Sequence, residues 1–282
     1  MAKLTIYEQL CFCTSRIETE DANGHTYSGT GFFFNLKVNK QTVPLLITNK
    51  HVVKGMNKGM FRFTTADENR SPDYKRHFTI EYSDNFESMW IMHPSSDVDL
   101  CVLPTNPLLE AAAKSGKHLF YRSLDNSIIP NDTEKNALDA VEEITMVGYP
   151  NGLWDNVNNM PIIRKGITAT NYNIDYNGKK EFLIDAACFP GSSGSPVLIC
   201  NVGGYRDKQG NLNWGSSRIY LLGILYAGPQ LTVTGDIQIV TVPTIQQKAL
   251  AVSHIPNNLG YIIKAERILD FIPIFESLLS KK

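Results

Sequence analysis

Short apolar runs broken by polar turns recur along most of the chain, and few are long or periodic enough to be helices. Residues 4–17 hold a first apolar stretch. Glu18 to Ser28 is polar, contains the turn pair Asn23-Gly24, and predicts a loop. Gly29-Thr-Gly-Phe-Phe-Phe34 begins a strand whose glycines permit close backbone approach. After a polar turn at 37–41, Val43-Pro-Leu-Leu-Ile-Thr48 runs back, so 31–48 reads as a hairpin. Alternating segments at 60–65, 77–82 and 88–92 follow, and Val98-Asp-Leu-Cys-Val-Leu103 ends the first block.

The texture then changes. Asn106-Pro-Leu-Leu-Glu-Ala-Ala-Ala-Lys114 has a proline near a helix start followed by strong helix formers, and residues 126–136 are polar and turn-rich. A domain boundary falls in this region, giving domains of 1–115 and 116–282. Strands resume at 141–148, 162–170, 181–188, 196–202 and 218–227. Apolar positions 268, 269, 272, 275, 278 and 279 fit a terminal amphipathic helix, kinked at Pro273. Two blocks of short strands predict an all-β protein of two antiparallel barrels or sandwiches.

Composition narrows the function classes. A chain of 282 residues, 43% hydrophobic, can bury a sizeable core. Its net charge of −1 with scattered Lys and Arg gives no basic groove for nucleic acid and no polybasic membrane anchor. The five cysteines are odd in number, lie mostly in apolar runs, and show neither metal-ligand spacing nor a disulfide framework. Reduced thiols in a cytoplasmic protein are expected, with no metal and no cofactor. The first residues, Met-Ala-Lys-Leu-Thr-Ile-Tyr-Glu-Gln, interrupt any signal-peptide core, and no run reaches the length of a membrane span.

The chemistry concentrates in Asp185-Ala-Ala-Cys-Phe-Pro-Gly-Ser-Ser-Gly-Ser-Pro-Val197, a tight turn between two apolar strands. Acyl transfer needs N–H donors on the developing oxyanion, commonly from the nucleophile and the residue two before it. Two before Ser192 stands Pro190, which has no N–H. Two before Ser195 stands Ser193, which lacks the backbone freedom of glycine. Two before Ser193 stands Gly191, so Ser193 is the candidate nucleophile. Of six histidines, His51 alone follows an apolar strand and precedes Val52-Val53, where a core strand breaks into a turn. Asp97 and Asp99 both flank the strand-like run 98–103, on one face of it by alternation. Spacing alone leaves both open as the orienting carboxylate.

Gly29-Thr-Gly-Phe-Phe33, Leu46-Ile-Thr-Asn-Lys-His-Val-Val53, Ser96-Asp-Val-Asp-Leu100 and the 185–196 turn together resemble the chymotrypsin/trypsin-like serine proteases. They are closest to the bacterial HtrA (Deg)-type protease domain. Glu143-Ile-Thr-Met-Val-Gly-Tyr-Pro-Asn-Gly-Leu153 and Arg164-Lys-Gly-Ile-Thr-Ala169 add to the likeness, which runs from about residue 28 to 228. The resemblance implies two six-stranded antiparallel β-barrels with a cleft between them. It implies a trypsin-like serine endopeptidase with His51 as general base, Ser193 as nucleophile, and Gly191 and Ser193 as oxyanion donors. The family pattern of Asp, aliphatic, any residue, Leu selects Asp97.

By the same resemblance, Ala187 and Cys188 form the base of the S1 pocket, and Tyr226, Ala227 and Gly228 line its opposite wall. None carries a charge, so an apolar pocket and cleavage after uncharged residues are expected. The substrate is a protein or peptide, with a regulatory protein as a further candidate partner. The family's other outcome is a catalytically silent peptide-binding module. No PDZ domain is expected after residue 282, and by the resemblance Ser192 stands where digestive relatives have the aspartate that pairs with a freed N-terminus. Competence without propeptide removal is therefore expected, with any restraint coming from the long segment from Pro229 to Asn258 or from a partner.

Overall fold

A computed structural model of the chain describes residues 4–237, 249–256 and 258–280. The remainder of the 229–258 segment, residues 238–248 and 257, lies outside the described residues. The first block forms β1 (Thr14–Asp21), β2 (Thr26–Val38), β3 (Gln41–Thr48), β4 (Met56–Ala66), β5 (Pro72–Tyr82), β6 (Ile91–Met92), β7 (Cys101–Pro104) and the short β8 (Leu124–Asp125). The second forms β9 (Glu143–Gly148), β10 (Ile162–Thr168), β11 (Glu181–Asp185), β12 (Pro196–Asn201), β13 (Gly204–Arg206), β14 (Leu212–Trp214), β15 (Arg218–Ala227), β16 (Gln230–Ile237), β17 (Ala249–Pro256) and β18 (Leu259–Lys264). Helices are short: α1 (Ile6–Leu10), α2 (Lys50–Val53), α3 (Asn106–Lys114), α4 (Asp132–Ala137) and α5 (Ile272–Leu279).

The second block closes into a six-stranded barrel in the order β10-β11-β18-β15-β12-β9. The first block is an eight-stranded sheet in the order β5-β4-β1-β2-β3-β7-β6, with β8 added parallel to β2. The expectation of two six-stranded barrels is therefore met as a closed barrel in one half only. In the other half β1 and β2 run past the predicted loop at 18–28 and pair there, Glu18 opposite Ser28, so that Asn23-Gly24 sits at the tip of a hairpin. Strand pairing supplies hydrogen bonds that a polar sequence alone does not advertise.

Burial explains the continuous apolar runs. On β2, Phe32 and Phe34 enter a core shared by the two halves while Phe33 enters the core of the first sheet. On β3, Leu45 and Ile47 take the shared side and Leu46 the other. On β12, Leu198 and Cys200 face the shared core and Val197 and Ile199 fill the barrel. Such strands are buried on both faces, and so their sequences do not alternate. No helix of the described residues is long and apolar enough to cross a membrane.

The C-terminal segment differs from a single kinked helix. Ala265–Phe271 is a 3₁₀ stretch, and α5 begins at Ile272 with Pro273 in its first turn, where a missing N–H costs nothing. Phe271 and Phe275 anchor it in the shared core. It also grips the loop between β6 and β7. The buried His93 accepts the Ser95 N–H at Nδ1 (3.1 Å), so Nε2 carries the proton and faces Asp270 Oδ2 (3.1 Å) and the Arg267 carbonyl (3.2 Å).

Burial pulls His93 below its ordinary value of 6.5, outweighing the attraction of Asp270. Below 6.5 the unfolded chain therefore binds more protons at this site than the folded one, and stability falls as pH drops. Thermal unfolding is expected to shift to lower temperature between about pH 7.5 and about pH 5.5, with a shallower shift in His93→Asn. An equal shift in both proteins would assign the acid sensitivity elsewhere.

Candidate active site

The end of β3 and the start of α2 place His51. Asn49, fully buried, donates from Nδ2 to the Asp99 carbonyl (2.8 Å) and so ties this corner to the loop before β7. The Asp99 carboxylate then takes two bonds from one residue. Oδ1 accepts the His51 backbone N–H (3.0 Å) and Oδ2 meets the His51 ring at Nδ1 (2.5 Å). With Nδ1–H held by the carboxylate, Nε2 is left as the basic nitrogen. The His51 side chain is 48% exposed.

Asp97 is not the carboxylate at His51. Residues 95–98 form a turn and β7 starts only at Cys101, so strand alternation does not apply to the pair of aspartates. Val98 is buried, the Leu100 N–H bonds back to the Val98 carbonyl (2.9 Å), and Asp97 is left exposed while Asp99 turns to His51. The sequence contained Asp99 as the rival. Choosing it needed the knowledge that this stretch is a turn.

Of the three serines in the 185–196 turn, Ser192 and Ser195 are fully buried and Ser193 is half-buried. Ser193 lines a cavity of about 160 Å³ together with Cys188, Phe189, Pro190, Leu225, Ala227, Gly228 and Pro229. The carbonyls around it are turned inward. Pro190 O accepts the Asn151 N–H (2.5 Å), Phe189 O the Ser192 N–H (3.0 Å), and Ser192 O the Ser195 N–H (3.0 Å). Gly191 O accepts the Thr30 hydroxyl (3.1 Å) and Ser193 O the Thr30 N–H (2.8 Å). A planar trans peptide directs its N–H opposite to its C=O. The Gly191 and Ser193 N–H groups, which donate to no backbone carbonyl of the described residues, therefore face away from those partners.

Thr30 also links this turn to the histidine corner. Its carbonyl accepts the Thr48 hydroxyl (2.7 Å), three residues before His51. Leu225 brackets the turn from β15, exchanging bonds with Gly194 N (2.8 Å) and Ser195 O (3.0 Å). Beyond Leu225, β15 keeps β18 on one side, while its other edge, at Tyr226 to Gly228, has no strand beside it among the described residues.

The wall residues divide. Cys188, Ala227 and Gly228 line the cavity as expected, and burial pushes the Cys188 thiol up to about 11, so it is neutral there. Tyr226 and Ala187 do not line it. The Tyr226 hydroxyl is drawn off to Glu181 (3.0 Å), and burial and that carboxylate both raise its pKa. The Ala187 carbonyl is held by Arg164 Nη1 (2.6 Å), which also bonds the Ser192 hydroxyl (2.9 Å). Asp185 is exposed and outside the cavity. Arg164 and Thr30 lie in the segments 164–169 and 29–33, where sequence alone assigns neither of them a task. A charged residue in a barrel strand was the available signal for Arg164.

A turn of this kind, a histidine–carboxylate pair and a closed β-barrel together define a protease-type scaffold. The family model described as a trypsin-like peptidase domain matches residues 29–203, and the chain belongs to that family. Membership supports a protease-type hydrolase function. Among solved structures the chain is similar to a mutant of the tobacco etch virus protease, at 13% identity and a TM-score of 0.44, over 93% of this chain and 78% of that one. It is also similar to the scabies mite inactivated protease paralogue S-I1, at 10% identity and a TM-score of 0.46, over 97% and 98% of the two chains. A third is the protease Anisep from Arthrobacter nicotinovorans, at 12% identity and a TM-score of 0.41, over 90% of each. No curated protein matches the chain.

The turn constrains its glycines. Gly191 has φ +83°, and a Cβ there would lie 2.6 Å from the Tyr149 carbonyl. Gly24 has a similar φ of +85° with nothing within 4 Å. Gly191→Ala is expected to cost about 1–3 kcal/mol in urea unfolding, and clearly more than Gly24→Ala, because it adds a backbone clash to the same strain. Equal losses would show that the turn can relax around a methyl group.

Proposed function

We propose that the chain is a serine endopeptidase acting through Ser193, His51 and Asp99. The observation that carries this reading is the Asp99 carboxylate gripping both the ring and the backbone of His51, which leaves Nε2 as a base. In the proposed reaction Nε2 takes the Ser193 proton as its oxygen attacks a peptide carbonyl, and the imidazolium is stabilised by Asp99. The N–H groups of Gly191 and Ser193 receive the negative charge on the carbonyl oxygen. His51 then protonates the leaving amine, and water releases the acyl group by the same steps in reverse. The free edge at Tyr226 to Gly228 offers backbone hydrogen bonds to an extended peptide. The same edge would serve a catalytically silent peptide-binding module, which is the second reading.

A fluorophosphonate probe separates the two, since only an activated serine becomes labelled. Ser193→Ala or His51→Ala is expected to lower kcat/KM by about 10⁴–10⁶-fold, because the members act as a unit. Asp99→Asn should cost about 10⁴-fold by favouring the wrong tautomer of His51. Asp97→Asn should leave the rate near wild type. Full activity in Asp99→Asn would remove Asp99 from the mechanism, and a protein that neither labels nor cleaves would favour the binding module.

For substrate, we propose that the cavity beside Ser193 receives an uncharged P1 side chain. Among the described residues no charged side chain lines it, and a volume near 160 Å³ holds about one benzene-sized group. A buried Arg or Lys would meet no carboxylate and would incur a desolvation penalty of several kcal/mol. Cleavage of a peptide library is expected after Val, Leu, Ala or Met, with aromatics accepted. Discrimination among them should be shallow, since one methylene is worth about 1–3 kcal/mol. Predominant cleavage after Arg or Lys would overturn the pocket assignment.

A further inference from the structure

We propose that Arg164 is a positioning residue for the oxyanion site, holding from behind the turn that presents the Gly191 and Ser193 N–H groups. The inference rests on the serine-endopeptidase reading above. Its basis is the way the turn is fastened. The two peptides that matter are Pro190–Gly191 and Ser192–Ser193, and each must keep its carbonyl away from the cleft for its N–H to face it. If the first peptide turned over, it would present the Pro190 carbonyl where an oxyanion has to form, and attraction would become repulsion.

Thr30 fastens this turn from the first sheet, and Asn151 fastens it through a backbone bond. From the barrel, Leu225 on β15 holds the exit of the turn through backbone bonds, and the side-chain fastening is Arg164 on β10, opposite Met146 of β9. Its Nη1 reaches the Ala187 carbonyl (2.6 Å) at the start of the turn and the Ser192 hydroxyl (2.9 Å) between the two critical peptides. Among the described residues it is the one charged side chain hydrogen-bonded to residues 187–195. Bonds from an ionised donor are shorter and roughly twice as strong as neutral ones. A strand of a closed barrel is also a firmer base than another loop. The guanidinium does not line the cavity, and its Nε and Nη2 have almost no exposed surface, so it faces the back of the turn rather than a bound peptide.

The test compares wild type with Arg164→Met, which keeps the bulk and removes the donors, and Arg164→Lys, which keeps the charge. Peptide hydrolysis, fluorophosphonate labelling rate, and binding of a peptidyl boronic acid and of a product peptide are measured on protein shown to be folded by circular dichroism. Arg164→Met is expected to lose about 10²–10³-fold in kcat, the scale of one lost oxyanion donor. KM and product binding should stay within about threefold, while boronate affinity falls in parallel with kcat. Arg164→Lys should recover part of the loss.

An active wild type with a folded Arg164→Met of unchanged kcat overturns this inference and leaves the protease reading intact. Equal weakening of boronate and product binding also overturns it, as does a P1 preference that moves from acidic to apolar in Arg164→Met, which would place the guanidinium against substrate. A wild type that neither labels nor cleaves overturns the protease reading and this inference with it. Should Arg164→Met not fold, Arg164→Gln and Arg164→Lys carry the same comparison with the same expected order, Gln losing more than Lys.

Discussion

Thr30 is a fully buried residue whose five hydrogen bonds, one of them from the Ser195 hydroxyl, join both halves of the molecule at the candidate site. Its N–H holds the Ser193 carbonyl and its hydroxyl donates to the Gly191 carbonyl. That hydroxyl in turn accepts the Tyr149 N–H, just past the end of β9, and its carbonyl accepts the Thr48 hydroxyl, beside the histidine corner. A buried hydroxyl left without partners costs more than a typical hydrogen bond returns, so a residue with every polar group engaged fixes its surroundings. The close approach this requires is visible at Gly194, where a Cβ would fall 1.9 Å from the Thr30 carbonyl.

Around that node, the site is built by satisfying backbone polarity on one side of a turn and leaving it open on the other. The turn at 187–195 has its carbonyls engaged from behind by Thr30, Asn151, Arg164 and its own N–H groups. The Gly191 and Ser193 N–H groups point away from those partners, and the proposed reaction uses them as donors to the negative charge that develops during acyl transfer. Asn151 adopts φ +49°, a left-handed conformation that asparagine tolerates better than most residues, and this lets its N–H meet the Pro190 carbonyl. Arg164 carries its charge in a buried place. Burial pulls the guanidinium down to about 10, which leaves it protonated at neutral pH.

The rest of the fold supplies stiffness to these contacts. Strands β2, β3 and β12 each bury side chains on both faces, so the elements bearing Thr30, Thr48 and the exit of the serine turn cannot shift independently. The C-terminal segment adds a further constraint on the first sheet. Arg267 donates to the Ser95 hydroxyl (3.3 Å) and His93 contacts Asp270, so this segment braces the loop from which Asp99 projects. Lys50, beside His51, donates to the Ser95 carbonyl (2.8 Å) and closes the same loop from the other side.

Much of this was legible in the amino-acid order. The Phe32 to Phe34 and Leu45 to Ile47 runs announced buried strands, and the Pro-Gly-Ser turn with glycines on both sides of Ser193 announced a restrained serine. Backbone rules alone single out Ser193 over Ser192 and Ser195 as the candidate, because the availability of an N–H and the tolerance of positive φ are local properties. Properties that depend on partners distant in the chain were not legible. Whether 95–100 is a strand or a turn decides between Asp97 and Asp99, and that depends on Asn49 and His93 capturing backbone groups of the loop. The direction of the Tyr226 hydroxyl depends on Glu181, 45 residues away in sequence. Arg164 reaches residues 23 and 28 positions further on, a contact that exists only once the barrel has brought β10 beside the serine turn. Periodicity and turn chemistry are written into neighbouring residues, whereas the partner of a polar side chain is chosen by whichever groups tertiary packing brings within about 3 Å and deprives of water.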